Sequence, residues 1–338
     1  MEFLARPKVA LVFFVFAMAM IPLNDSLIKL MSDKFSIFQI LGVRALFSLA
    51  LVLLIPGTLS SVIKLKLRTW LKLMLRGLCL VGAMLFFFLP LSILPLADVT
   101  AIFFMSPLLI TLLSVPFLGE KLGVFRLSAV VIGLIGVMII VRPGGEGFQI
   151  AYLLPIISAS SYAAFQIITR YIRNEAPVPA MVAVQNLIYM SVGFIGVAIL
   201  AVIAPDTGGN QIMAFLLRGW ETPDSWDLLL LGVCGLIVLN LAYASTNVYS
   251  NVEATYVAPF EYIALPMAVF WGFVIWIDIP DFHTWIGMTL IIGGGIFMIY
   301  RENKRSTEVA SSVPMRASAT NTTNVETEVY LGGETESL

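Results

Sequence analysis

The chain is poor in the residues that build most catalytic and metal sites. It holds one histidine, His283, and two cysteines, Cys79 and Cys234, in 338 residues. No second ligand stands at metal spacing from His283, which argues against a zinc-type centre. Both cysteines fall within apolar runs and read as buried thiols, not as a disulfide framework. Charge is scarce too: 12% of residues are charged, where a soluble domain carries about 25%. A net charge of −1 supplies no basic field, so no nucleic-acid partner is expected. The glycines follow no strand-like segment and nothing resembles an ATP-binding loop, so no cofactor is expected.

What the sequence has is hydrophobic length: 59% of residues are apolar. Crossing about 30 Å of hydrocarbon at 1.5 Å per residue takes roughly 20 apolar residues. Ten runs meet or approach that length, at about residues 9–30, 36–57, 70–92, 98–118, 125–142, 150–172, 180–204, 228–249, 254–277 and 284–300. The expected fold is an all-α membrane protein of ten transmembrane helices with short connections. Arg6 and Lys8 precede the first run as in a signal peptide, but its length and its Asn24 and Asp25 mark an uncleaved span.

Lysine and arginine set the expected orientation. With the N-terminus inside, cytoplasmic segments hold 15 of them (Arg76 among these), and outer segments hold Lys29, Lys34, Arg142 and Arg218. Both termini are then cytoplasmic. Residues 303–338 are rich in Ser, Thr, Asn and Glu without apolar periodicity, a composition expected to stay a disordered cytoplasmic tail. Asn321 heads a glycosylation-like triplet, irrelevant on that side of a membrane.

Two halves are visible. "GVMIIVR" (136–142) ends the fifth span and "GIFMIYR" (295–301) the tenth, and the same offset sets Pro107 opposite Pro266. Five spans per half is an odd number, so chain continuity inverts the second half. Inverted repeats are a recurrent transporter architecture with the solute site near the midplane. The repeats are expected at 9–142 and 150–300.

"MSPLLITLLSVPFLGEKLG" (105–123), "IGLIGVMIIVRPG" (132–144) and "PFEY" followed by "WID" (259–262, 276–278) carry a resemblance. Together with the ten-span plan they resemble the EamA-domain branch of the drug/metabolite transporter superfamily, over roughly residues 9–300. Asp278 stands where that pattern more often has glutamate. The PFEY-type pattern is similar to that of riboflavin and S-adenosylmethionine carriers. The resemblance implies carriage of a small metabolite through a cavity between the halves.

Several residues could line such a path. Glu261 lies about seven residues into the ninth run between Pro259 and Pro266. Ionisable groups inside a span typically face a bundle interior or a wet cavity. Glu261 is expected to bind a cationic or donor group of the solute or to carry a coupled proton; a hydrogen-bonded tie between spans is the alternative. Pro259 and Pro266, with Pro107 and Pro116 in the fourth run, are expected helix breaks, tolerated where protein or cavity water satisfies freed carbonyls. Asp25 and Arg44 lie about 7 and 10 Å deep on neighbouring helices, an expected ion pair serving as static tie or gate, with Lys29 competing at i,i+4. Gln166, Gln185, Asn186, Asn240, Tyr243 and Asn247 are candidate solute ligands, with interhelical bonding the alternative. Tyr256, Tyr262 and Trp271 could stack a planar solute or mark interfaces. Gly133, Gly136 and Gly293–Gly295 suit close helix packing.

The function expected is secondary transport by alternating access in a bacterial inner membrane, with uptake of a heteroaromatic metabolite such as riboflavin. Export of amino acids or related metabolites is the alternative, and a non-transporting membrane subunit the alternative of another class. An enzyme is disfavoured, since no paired catalytic groups occur. Expected partners are the solute, the lipid bilayer and protons as coupling ion, with a homodimer a further expectation.

Overall fold

A computed structural model describes residues 7–119, 124–142, 149–203, 211–252, 257–277 and 279–312. Every regular element among them is helical. In chain order the helices are α1 (Pro7–Met31), α2 (Ile37–Leu53), α3 (Thr58–Ile63), α4 (Leu67–Phe88), α5 (Leu96–Phe103), α6 (Ser106–Leu118), α7 (Val124–Val141), α8 (Leu153–Tyr171), α9 (Val178–Ile203), α10 (Gln211–Leu217), α11 (Ser225–Asn251), α12 (Ala264–Trp276) and α13 (Phe282–Ser312). A 3₁₀ segment, Ala258–Ile263, leads into α12.

Six stretches are long and apolar enough to cross a membrane: Ala10–Met31, Leu67–Ser92, Leu96–Leu118, Ile150–Tyr171, Val178–Ile203 and Ser225–Asn251. Four shorter apolar helices accompany them, Ile37–Leu53, Val131–Val141, Phe260–Trp276 and Phe282–Phe297. The outward faces are apolar as well: Leu71, Leu75 and Leu78 on α4 and Ile195, Ile199 and Val202 on α9 are exposed at one-turn and two-turn spacing. Such stripes would be a liability in water and are the ordinary dress of a helix in lipid. The chain is a multi-pass integral membrane protein. Helix α13 continues to Ser312, beyond the run expected to close near residue 300; residues 313–338 of the expected tail lie outside the described residues.

Proline places two interruptions. The fourth run divides between α5 and α6 at Phe104 and Met105, and Pro107 opens α6. Pro259 opens the 3₁₀ segment, and Pro266 sits in the first turn of α12, where the missing donor costs nothing. Pro116 does not act as a break: α6 runs past it to Leu118. One further proline, Pro22, lies inside α1, and the Ser26 hydroxyl donates to its carbonyl at 2.7 Å.

The helices pair across the bundle: α2 on α9, α7 on α13, α4 on α8, α1 on α11, α6 on α8, α1 on α12, α11 on α2 and α4 on α9. Two of these crossings are glycine against glycine. A Cβ on Gly136 would lie 2.7 Å from the Gly287 carbonyl oxygen, and one on Gly193 would lie 2.4 Å from the Gly42 nitrogen. Backbones approach this closely only without side chains, the packing that lipid favours because apolar burial supplies no drive there. Gly193→Ala is expected to destabilise the fold by about 1–3 kcal/mol through overpacking. Gly272→Ala, where nothing stands within 4 Å, is expected to be neutral; thermal unfolding in detergent compares them.

Candidate functional site

Between the first five apolar runs and the second five lies a cavity with about 830 Å³ of atom-free space, part of it open. Helix α1 presents Met18, Ile21, Pro22 and Asp25 to it, and α11 presents Val238, Leu241, Ala242 and Ser245. Both sets follow i, i+3, i+4, i+7, the signature of one helix face. Arg44, Phe87, Phe103, Tyr162, Gln185 and Tyr189 close the remaining walls. A mostly apolar and aromatic hollow with a few polar groups is the usual composition of a small-molecule site.

Behind one wall stands Glu261, 0% exposed. Tyr162 Oη donates to its Oε1 at 3.0 Å and Tyr249 Oη at 2.6 Å. Gln166 Nε2 donates to Tyr162 Oη at 2.7 Å and to Ser245 Oγ at 3.0 Å. The result is a relay from Ser245 through Gln166 and Tyr162 to Glu261 and Tyr249. Tyr162 and Ser245 line the cavity, whereas Glu261 and Gln166 lie one side chain deeper. Glu261 Oε2 and Gln166 Oε1 are buried without a hydrogen-bond partner. The Tyr162 hydroxyl thus links the cavity wall to the carboxyl.

The cavity wall also carries Asp25 and Arg44, without the direct ion pair expected of them. Asp25 Oδ1 accepts from Asn24 Nδ2 at 3.0 Å, and Arg44 has Nε and both Nη atoms buried and unpartnered. Its guanidinium carbon lies 5.7 Å from the ring centroids of both Phe88 and Tyr189. Lys29 does not compete for Asp25 by the contacts present; its ammonium sits over Trp276 at 4.7 Å from the centroid and donates to the Leu94 carbonyl at 3.5 Å.

The other candidates divide. Gln185 lines the cavity, with Oε1 unpartnered. Asn186 is fully buried but donates to Val182 O of its own helix at 2.9 Å. Asn240 is exposed and donates to Leu236 O at 2.8 Å. Asn240, Tyr243 and Asn247 do share a face, but at about 100° per residue it is turned roughly half a circle from the face that meets the cavity. Tyr243 packs instead beside Val52 and Val182. Tyr262 is buried against Phe104, ring centroids 5.9 Å apart, with its hydroxyl unpartnered. Trp271 packs edge-on to Phe270 at 5.2 Å; neither lines the cavity. Tyr256 lies outside the described residues, as does Asp278.

Arg76, counted among the cytoplasmic cations, is a correction: it is 1% exposed in the bundle. It donates to Thr169 Oγ1 at 2.7 Å, Thr246 Oγ1 at 2.8 Å and Met181 O at 3.3 Å, with its guanidinium carbon 4.3 Å from the Phe165 centroid. Asp98, not singled out in the sequence, accepts from Tyr152 Oη at 3.2 Å and Thr284 Oγ1 at 2.8 Å.

Polar ties join the two halves at the end of the bundle where α1 turns into α2. Lys34 bonds Asp227 and Asp224, Gln39 and Glu221 exchange two hydrogen bonds, and Arg218 donates to the Ser32 carbonyl. The bond to Asp227 raises the Lys34 pKa above its usual value, and the Asp227 backbone N–H lowers that of Asp224. Arg142 bonds Asp281, whose carboxyl stays below its usual value because bonds from Thr284 and Arg142 outweigh its burial.

A buried carboxyl relay, an arginine without a hydrogen-bond partner and a hollow thus stand together between two sets of membrane helices. The profile of the EamA-like transporter family matches residues 8–142. The riboflavin transporter of Rhizobium johnstonii is 30% identical over 221 residues, 65% of this chain and 67% of that protein. The chain belongs to the EamA-like transporter family. The S-adenosylmethionine uptake transporter of Rickettsia bellii, a related protein, is 28% identical over 281 residues, 83% of this chain and 90% of its own length. A solved crystal structure shares the fold with TM-score 0.62, covering 89% of this chain and 99% of that one at 17% identity. The resemblance read from the 105–123 and 259–262 motifs is therefore correct, and with it the subgroup.

Proposed function

We propose that this transporter is a secondary carrier that takes up a heteroaromatic metabolite, of the riboflavin or S-adenosylmethionine kind, by alternating access at the central cavity. The observation that carries the reading is the cavity itself, lined in part by six aromatic side chains and backed by the Glu261 relay. Phe87 and Phe103, 5.2 Å apart, and Phe103 and Tyr162, also 5.2 Å apart, offer ring faces and edges for a planar solute. The names of the two relatives favour such a solute.

In this reading all ten apolar helices cross the bilayer as two inverted repeats, 9–142 and 150–300. The packing supports it. Exchanging each span with the one five places away turns α1 on α11 into α8 on α4, α1 on α12 into α8 on α6, and α2 on α11 into α9 on α4. The crossings of α2 on α9 and α7 on α13 map onto themselves, as a two-fold axis in the membrane plane requires. With Arg76 buried, fourteen cations against four still favour cytoplasmic termini. The membrane is then a bacterial inner membrane, and the polar ties of Lys34 and Arg142 close the periplasmic end.

Protons are the proposed coupling ion, with Glu261 as the group that carries them and Tyr162 as its link to the solute. Reconstituted protein should accumulate labelled riboflavin or S-adenosylmethionine inside liposomes, and faster under an inward proton gradient. Absence of uptake for both compounds under every gradient would remove this substrate reading.

A further inference from the structure

Resting on the transport reading above, the cavity also says what chemical group its solute carries. Four buried polar side chains on its walls have hydrogen-bonding atoms without a partner: Arg44 with all three nitrogens, Asn24 Oδ1, Thr100 Oγ1 and Gln185 Oε1. Three are neutral and weakly demanding. Arg44 is not: an arginine 1% exposed holds a charge that is costly to bury without a counter-charge. Arg76 marks the contrast, since the same residue type, equally buried, is fully bonded by Thr169, Thr246 and Met181.

Two aromatic rings flank Arg44 at the limit of useful cation–π distance. Neither ring accepts its N–H donors, which have no hydrogen-bond partner in the protein. Asp25 is the partner expected for Arg44, yet it lines the same hollow without hydrogen-bonding it and takes its hydrogen bond from Asn24. A cation and a carboxylate facing one hollow, within electrostatic reach of each other but not hydrogen-bonded, suit a solute that bears both charges. The planar fork of arginine matches a carboxylate with two parallel bonds.

We infer that Arg44 is the receptor for a carboxylate on the transported solute, with Asp25 receiving a cationic or donor group of the same molecule. The substrate class is a zwitterionic, carboxylate-bearing heteroaromatic compound. Neutral riboflavin lacks that carboxylate; S-adenosylmethionine has it, together with an amine.

The test uses proteoliposomes of wild type, Arg44→Gln and Arg44→Lys with three labelled probes: S-adenosylmethionine, its decarboxylated form and riboflavin. A charge-assisted bidentate contact predicts that wild type prefers S-adenosylmethionine over the decarboxylated form by at least about tenfold. Arg44→Gln should lose that preference, and Arg44→Lys, which keeps the charge but not the fork, should retain part of it. S-Adenosylmethionine should also raise the melting temperature of wild type and not of Arg44→Gln, a readout that a purely structural arginine would not move. Wild type carrying both forms of the compound equally overturns the inference, and needs no variant to fold. So does S-adenosylmethionine uptake unaffected in Arg44→Gln; in both cases transport itself stands. Uptake of none of the three removes the substrate reading and this inference with it.

Discussion

Glu261→Gln is expected to cut proton-driven uptake by about 10- to 100-fold, the loss of one interaction with a charged group, while folded yield and melting stay near wild type. The two halves of that expectation come from different atoms. Oε1 accepts from Tyr162 and Tyr249, and a glutamine oxygen accepts the same bonds at the same place. Oε2 has no partner and is the atom free to take or release a proton. Glutamine keeps the first and abolishes the second. Glu261→Leu removes both, leaves the O–H donors of two buried tyrosines without their acceptor and should destabilise the bundle as well, by roughly 1–3 kcal/mol for each group left unsatisfied. Tyr162→Phe cuts the relay between cavity and carboxyl and should impair uptake with Glu261 intact. Full uptake by Glu261→Gln with unchanged pH dependence would reduce Glu261 to a tie between helices.

The second large effect is on stability. Arg76→Leu is expected to destabilise the protein by about 2–4 kcal/mol, because three hydrogen bonds to a charged group are lost at once. Those bonds join α4 of the first half to α8, α9 and α11 of the second, so the loss falls on the contact between halves. Arg44→Leu should be neutral or stabilising in the absence of solute, since it removes a buried charge that has no hydrogen-bond partner and fills the space with carbon. Parallel melting curves of the two variants compare the arginines directly. Equal losses would mean that Arg44 has a structural partner after all.

Much of the architecture was legible because a membrane span is written in length. Val178–Ile203 and Ser225–Asn251 differ from the expected 180–204 and 228–249 by only a few residues, and the interruption at Pro107 follows from its missing donor. Which face looks inward was not legible. A helix in lipid is apolar all round, so periodicity, which marks the inside of a soluble helix, marks little here. Polar residues were the remaining guide, and asparagine is a poor one. Asn186 and Asn240 bond their amide NH2 groups to the carbonyl four residues back in their own helices, so neither donor requires a cavity or a partner. On α11 this drew attention to Asn240, Tyr243 and Asn247, while the hollow meets Val238, Leu241, Ala242 and Ser245. Charged residues were better guides, since none can bond itself this way. Glu261, Asp25 and Arg44 all proved to be buried beside the hollow or on its wall. Arg76 was missed because its place near the end of an apolar run reads as a topology signal, and only the fold brings Thr169 and Thr246 to it.

A hydrated passage between the halves is what everything else depends on, and Ser245 reports on it most directly, since it lines the cavity and heads the relay to Glu261. With Cys79 and Cys234 replaced, Ser245→Cys should react with a small charged thiol reagent that does not partition into lipid. The reaction should abolish uptake, and saturating solute should slow it. A thiol at 245 that stays unreactive from both sides of the membrane, or that reacts while uptake continues unchanged, would contradict a solute path through this cavity.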